Sequence, residues 1–420
     1  MRLPPLQDGH NVRLLQGGQD FFPALVQAID ESRHEVRLET YIFNVDDSGQ
    51  GVADALMRAA TRGVSVYVVV DGAGTPDLPP ALVAQLDAAG VQWHIYSRLA
   101  GLGWLVPRRW RRLHRKLCVV DGAIAFCGGI NVLDDFYDPN YGALNAPRFD
   151  FAVRVTGPLV RDVTQSMTQF WWRLKAVTEA RERDFPAAWG ALQSAVRLSL
   201  AQGSAAALPG DEPLAVAGAG TVTGGAPNHT ARAALLLRDN LRRRTQIERA
   251  YRKAIGEARS EIIIASAYFV PGGRLRRALI HAARRGVRVR LLLQGRYEYF
   301  MQFHAARPVF GALLAAGIEI HEYAPSFLHA KVAVIDNLWA TVGSSNLDPL
   351  SLLLAREANV VVLDAAFARD LRQRLDVAMQ THGRQMDPQT YASRPLHQRF
   401  LDMIAFGLMR FMLFLSGNSY

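Results

Sequence analysis

The stretches RRLHRKLCVVDGAIAFCGGIN (111–131) and FLHAKVAVIDNLWATVGSSN (327–346) carry one pattern twice. His114, Lys116 and Asp121 stand as H-x-K-x4-D, and after a gap of six residues come Gly128, Gly129, Ile130 and Asn131. His329, Lys331 and Asp336 repeat the spacing, followed by Gly343, Ser344, Ser345 and Asn346. Residues two apart on a strand share a face, so each copy sets an imidazole beside an ammonium. The fixed cation attracts a phosphate and the imidazole can attack it. A single H-x-K is no more than a solvated strand face; two copies with the same tail, at matching points of a repeat, form a site.

Working outward, the repeat extends along most of the chain. VRLL (12–15) before ALVQAI (24–29) answers LLLR (235–238) before IERAYRKAI (247–255), and VRLETYIF (36–43) answers IIIASAYF (262–269). ADALMRAATRGVSVYVVVDG (53–72) matches RRALIHAARRGVRVRLLLQG (276–295), and AAGVQWHIY (88–96) matches AAGIEIHEY (315–323). Helical periodicity alternates with β-branched runs suited to buried parallel strands, and Gly63 and Gly286 fall where helices close. The pattern predicts an α/β architecture used twice: two pseudo-symmetric halves, each a mixed sheet flanked by helices. Their spans are 1–200 and 232–385, with a Gly/Ala/Pro-rich connection at 201–231 and a C-terminal tail at 386–420.

At 420 residues the chain is long enough for two such units. Lys and Arg number 48 against 38 Asp and Glu, and the resulting +10 suits a polyanion or an anionic membrane surface. The two cysteines, Cys118 and Cys127, exclude a disulfide framework or a Cys-based zinc cluster and are expected to be small buried hydrophobes. The start, MRLPPLQDGHNVRLL, lacks the apolar core of a secretory signal, and the apolar runs at 213–231 and 403–415 are respectively broken by glycines and too short to span a bilayer.

The duplicated motif resembles the phospholipase D superfamily over nearly the whole chain. LETYIFNVDDSG, RRLHRKLCVVDGAIAFCGGIN and ATVGSSNLDPLSLLLAREANV bring it closest to bacterial cardiolipin synthases lacking N-terminal transmembrane anchors. The resemblance implies one active site at the interface of the halves. It also implies transfer of a phosphatidyl group from one phosphatidylglycerol to another, releasing glycerol and passing through a covalent phosphatidyl-histidine. His114 is then the nucleophile and His329 the general acid and later base, an assignment that near-symmetry allows to be exchanged. Lys116 and Lys331, with the amides of Asn131 and Asn346, would stabilise the phosphoryl oxygens; Ser344 and Ser345 are either further donors or plain turn residues. An acidic residue downstream of each motif should hold the other ring nitrogen: Glu357 matches that position for His329 and Asp150 for His114. Asp121 and Asp336 are expected to be structural, pairing with nearby basic groups. Two fixed cations make a divalent metal unnecessary, no carboxylate cluster suits one, and no cofactor is expected.

From Tyr96 to His114 is eighteen positions but from Tyr323 to His329 only six, so the first half carries twelve extra residues. They bring Trp104, Leu105 and Val106 next to Arg108, Arg109, Trp110, Arg111 and Arg112, the composition of an interfacial anchor within loop 97–112. The tail at 400–415 is either a second membrane contact or a helix docked on the core. The expected partner is an anionic phospholipid bilayer containing phosphatidylglycerol and cardiolipin. The expected place is the cytoplasmic face of the bacterial inner membrane, held peripherally. A hydrolytic phospholipase D or another phosphatidyltransferase is the alternative. A nuclease fits less well, because the sequence shows no basic groove interleaved with aromatics and no nucleic acid is expected.

Overall fold

The structure is a computed structural model that describes residues 3–98, 110–181, 184–204, 230–239, 243–297, 300–348 and 355–415. The first half runs β1 (Gln7–Gln16), α1 (Gly17–Asp30), β2 (Glu35–Thr40), α2 (Asp47–Thr61), β3 (Ser65–Asp71), α3 (Pro80–Ala89), β4 (Gln92–Tyr96), β5 (Arg112–Leu113), β6 (Lys116–Val120) and β7 (Ile124–Gly128). A small hairpin, β8 (Tyr137–Asp138) and β9 (Gly142–Ala143), precedes β10 (Phe151–Thr156), α4 (Leu159–Arg181) and α5 (Phe185–Ser204). The second half repeats the plan with β11 (Ala231–Arg238), α6 (Gln246–Glu257), β12 (Glu261–Ser266), α7 (Gly273–Arg284), β13 (Arg288–Gln294), α8 (Phe300–Leu314), β14 (Glu319–Tyr323), β15 (Lys331–Ile335), β16 (Trp339–Gly343), β17 (Ala355–Leu363) and α9 (Ala365–His382). The chain closes with β18 (Gly383–Gln385), α10 (Pro388–Ala392) and α11 (Leu396–Leu415). The expected connection narrows at both ends, since α5 reaches Ser204 and β11 opens at Ala231; residues 205–229 lie outside the described part.

Both halves have the same strand order, β4-β3-β2-β6-β7-β10-β1 and β14-β13-β12-β15-β16-β17-β11. The two helix-linked strand pairs of each half are parallel, and the others antiparallel, which makes each sheet mixed. Gly63 and Gly286 turn the chain out of α2 and α7 at φ of +90° and +88°, a conformation that a side chain would strain. The residues of β6 and β15 are buried throughout, as suits strands covered on both faces.

The halves are not separate bodies joined by a tether. β1 pairs with β11, merging the two sheets into one of sixteen strands. The central core also draws from both, with Val119, Val153 and Val163 packed in one cluster with Val332, Val360 and Leu371. Each such fully buried side chain contributes roughly 1.5–3 kcal/mol, so neither half can expose this surface cheaply. The outer helices α1–α3 and α6–α8 cover the other faces with cores of their own. Trp171 belongs to the interior, as do Cys118 and Cys127, whose thiols burial pushes well up, to about 12 for Cys127.

Candidate active site

The site forms where the C-terminal ends of β2 and β12 meet the starts of β6 and β15. Lys116 opens β6 and Lys331 opens β15, each with its histidine two residues earlier. Both ammonium groups are turned back on their own motif: Lys116 Nζ donates to the His114 carbonyl at 2.7 Å, and Lys331 Nζ donates to that of His329. The imidazoles are 16% and 20% exposed while the carboxylates beside them are fully enclosed, so the ring edge carrying Nε2 is what a substrate meets.

Each histidine is held by the opposite half, and here the expectation from sequence is corrected. The His114 N–H donates to the Arg356 carbonyl at 3.0 Å, and the His329 N–H donates to the Phe149 carbonyl at 2.9 Å. One residue further along each of those segments stands the carboxylate, Glu357 within β17 and Asp150 just before β10. His114 Nδ1 lies 3.0 Å from Glu357 Oε1, and His329 Nδ1 lies 2.6 Å from Asp150 Oδ2. The pairing is therefore crossed: Glu357 serves His114 and Asp150 serves His329. Counting along the chain assigns an acid to the histidine of its own half, but β5 pairs with β17 and Phe149 bridges Leu328, so each catalytic loop is zipped to the other half's strand.

The two dyads differ. Ser344 Oγ donates to Glu357 Oε2 and accepts from the Ala358 N–H, so the hydroxyl is spent on the carboxylate and not on a phosphate. Burial pushes the Glu357 carboxyl up, but His114, Lys116 and Ser344 together outweigh it and hold it below the ordinary range. The first half has Gly129 at this point, and a Cβ there would come within 2.3 Å of Asp150 Oδ1. Asp150 gets no hydroxyl, and burial raises it to about 7 despite Lys331 and the Phe151 N–H. Burial also lowers the pKa of both imidazoles, less for His114, where Glu357 counteracts it, and strongly for His329. It brings Lys116 down to about 7.

The remaining motif residues fall into place around this centre. Asn131 accepts the Ile42 N–H on Oδ1 at 3.1 Å, and Asn346 is buried with its Oδ1 unpartnered among the described residues. Ser345 is a turn residue, its N–H donating to Asn359 Oδ1 and its hydroxyl to the Asn346 carbonyl. Asp121 and Asp336 close the far ends of β6 and β15, about 17 Å from the lysines at ~3.3 Å per residue. Among the described residues they form no ion pair with a basic side chain, contrary to expectation. Asp121 accepts the backbone N–H groups of Arg33, His34 and Glu35, and Asp336 those of Arg259, Ser260 and Glu261.

Three residues that the motifs do not disclose also matter. The Tyr41 ring lies 5.1 Å from the His114 ring, and Lys116 Nζ lies 5.5 Å over it. Asp71 accepts the Leu113 N–H at 2.6 Å, and Gln294, its counterpart in the repeat, accepts the Leu328 N–H at 3.3 Å. Each thus anchors the residue before a catalytic histidine, and the signal was present in the matched ends of VVVDG and LLLQG. Arg112 is corrected as well: its guanidinium pairs with the enclosed Asp71 at 3.2 Å and with Ser97, which makes it an interior clamp and not a membrane cation. Trp110 is exposed and Arg111 half-buried, while Trp104, Leu105, Val106, Arg108 and Arg109 lie outside the described residues.

Two histidines and two lysines brought from symmetric halves into one enclosed centre define a phosphodiester-transferring enzyme of the phospholipase D class. A family model described as cardiolipin synthase, PLD-like domain, matches residues 25–144 and 251–378, one segment in each half. Cardiolipin synthase B of Escherichia coli (strain K12) is 35% identical over 413 residues, covering 96% of this chain and 89% of that protein. The probable cardiolipin synthase YwiE of Bacillus subtilis (strain 168) is 28% identical over 372 residues, covering 88% of this chain and 66% of that protein. Among solved structures, phosphatidylserine synthase of Haemophilus influenzae shares the fold at a TM-score of 0.63 and 13% identity, over 97% of this chain and 95% of that one. The chain belongs to the phospholipase D-like cardiolipin synthase family and is a phosphatidyl-transferring enzyme.

Proposed function

We propose that the enzyme joins two phosphatidylglycerol molecules into cardiolipin and glycerol through a phosphatidyl-His114 intermediate. The observation that carries the division of labour is the difference between the dyads. An ionised Glu357, backed by Ser344, accepts the Nδ1–H of His114 and leaves a lone pair on Nε2, the nucleophile. A protonated Asp150 donates to His329 Nδ1 and leaves the proton on Nε2, the acid. In the first step His114 Nε2 bonds to phosphorus and the bond to the headgroup glycerol oxygen breaks. That oxygen takes the Nε2 proton of His329 as Nδ1 takes one from Asp150. In the second step the glycerol hydroxyl of another phosphatidylglycerol attacks phosphorus, gives its proton to His329 and expels His114, restoring both dyads.

Lys116 and Lys331 would meet the non-bridging oxygens, and Asn131, its carbonyl oxygen spent on Ile42, has its Nδ2 hydrogens left to donate. One phosphodiester replaces another, so the exchange is near balance and needs no nucleotide. The test is purified protein with phosphatidylglycerol vesicles, which is expected to yield cardiolipin and glycerol in equal amounts. Phosphatidic acid as the sole lipid product would make the enzyme a hydrolase, with water in place of the second alcohol.

A further inference from the structure

Two helices, one in the first half and one in the C-terminal tail, present apolar ridges that none of the catalytic chemistry uses. The first is on α5. Ala188, Ala191 and Ala195 are buried, and on its open face Phe185, Trp189 and Leu192 follow at helical spacing, Phe185 being 67% and Trp189 62% exposed. This helix pairs with α4, whose Phe170 already meets Tyr96 at the catalytic end of β4. The eleven residues from there to Arg181 carry α4 about 16 Å beyond Phe170 at ~1.5 Å per residue, and α5 packs along it.

The second ridge is α11. It packs along α8, with His304 Nδ1 2.8 Å from Asp402 Oδ1, and the preceding α10 is tied further along α8 by the Tyr391 hydroxyl donating to the Arg307 carbonyl, so α11 runs antiparallel to α8. Since α8 starts just beyond β13, whose Gln294 supports the residue before His329, the later turns of α11 run toward the catalytic end. Ala405 and Met409 pack inward, while Phe400, Ile404 and Phe411 form an open stripe. Arg399 and Arg410, eleven residues apart, stand exposed on one flank of that stripe. An apolar stripe with cations along its edge is the composition of a helix lying in a lipid interface, and among the described residues no helix is long and apolar enough to cross a membrane.

We propose that α5 and α11 are paired interfacial ridges that seat the catalytic end of the enzyme on an anionic phospholipid bilayer. The choice of a bilayer as occupant rests on the phosphatidyl-transfer reading, whose substrates reside there, and on the match of the arginine flank and the net charge of +10 to an anionic surface. Two such ridges would bring the headgroup layer to His114 and His329 without a spanning helix among the described residues.

The test is sedimentation of the full-length protein with vesicles of phosphatidylglycerol and phosphatidylcholine in equal parts, against phosphatidylcholine alone. The Phe185→Ser/Trp189→Ser and Phe400→Ser/Phe411→Ser pairs should each weaken binding about tenfold with the thermal unfolding midpoint retained. Arg399→Glu/Arg410→Glu should weaken it only on phosphatidylglycerol vesicles, and high salt should abolish that difference. Quenching of tryptophan emission by bromine-labelled lipid should fall in Trp189→Phe, a variant that keeps an aromatic ring in place. Binding equal to wild type in both apolar pairs, or quenching unchanged in Trp189→Phe, overturns the proposal. So does a self-associated wild type that the apolar substitutions make monomeric while vesicle binding persists, since the stripes would then bind a second copy. Sedimentation requires no turnover, so a failure of the docking proposal and a failure to make cardiolipin are separate results.

Discussion

His114 takes its carboxylate from the other half of the chain: Nδ1 lies 3.0 Å from Oε1 of Glu357, 243 residues further on. The reciprocal contact, His329 with Asp150 across 179 residues, makes the site inseparable from the packing of the two halves. Neither repeat contains a complete dyad of its own.

Glu357→Gln should therefore disable His114 while leaving the other dyad in place. An amide cannot compensate an imidazolium or enforce the tautomer, and phosphatidyl transfer should fall by ~10²–10⁴-fold. Ser344→Ala removes one hydrogen bond to that carboxylate, worth about 1–2 kcal/mol, and should cost roughly tenfold. Steady-state rates on phosphatidylglycerol decide both, and a Glu357→Gln enzyme within twofold of wild type would refute the role.

The two histidines should separate when the leaving group needs no proton. With a phosphatidyl ester of p-nitrophenol, His329→Ala should still release a burst of nitrophenolate equal to the enzyme present and then stall as the phosphatidyl-enzyme. His114→Ala should release none. The burst amplitude in the two variants is the measurement, and a burst confined to His114→Ala would exchange the roles.

The pH profile follows from burial. The His114 imidazole, pushed down by desolvation more than Glu357 holds it up, is neutral throughout the neutral range, so the acid limb of kcat/KM should lie below pH 6.5. The Lys116 ammonium, brought to about 7 by the same burial, and the Asp150 proton, held to about 7 by burial of that carboxyl, are both lost as the pH climbs, and kcat/KM should decline above that value. Glu357→Gln removes the anion that favours the protonated forms of His114 and Lys116, so the acid limb and the Lys116 part of the alkaline limb should move to lower pH. A soluble short-chain phosphatidylglycerol assayed from acid to alkaline buffer tests the order; an alkaline limb set by an ordinary lysine, near 10.5, would contradict it.

Asp71 acts at one remove. It holds the Leu113 N–H and the Arg112 guanidinium, and so the backbone that presents His114. Asp71→Asn should lower kcat about tenfold with little change in KM, because alignment of the nucleophile suffers and not the lipid contacts. A change confined to KM would assign Asp71 to substrate binding instead.

Asp121 and Asp336 should matter for stability only. Each collects three backbone N–H groups at the far end of its strand, and replacement by Ala should cost ~1–3 kcal/mol in denaturant unfolding. The activity per folded molecule should persist, and a thousandfold loss in a folded Asp121→Ala protein would return it to the chemistry.

By itself the sequence determined whatever depends on covalent order: the duplication, the mixed α/β plan, the strands that bear His114 with Lys116 and His329 with Lys331, and the glycines that close α2 and α7. Strand alternation and helical periodicity are local properties, and a motif repeated at fixed spacing needs no knowledge of its neighbours. Tertiary structure alone decided which carboxylate meets which imidazole, that Arg112 turns inward to Asp71, that Ser344 supports Glu357, and that β1 and β11 fuse the sheets. Those contacts join residues far apart in the chain through the packing of one half against the other. A carboxylate counted at the right interval after its own motif lies nearer, in space, to the histidine of the opposite repeat.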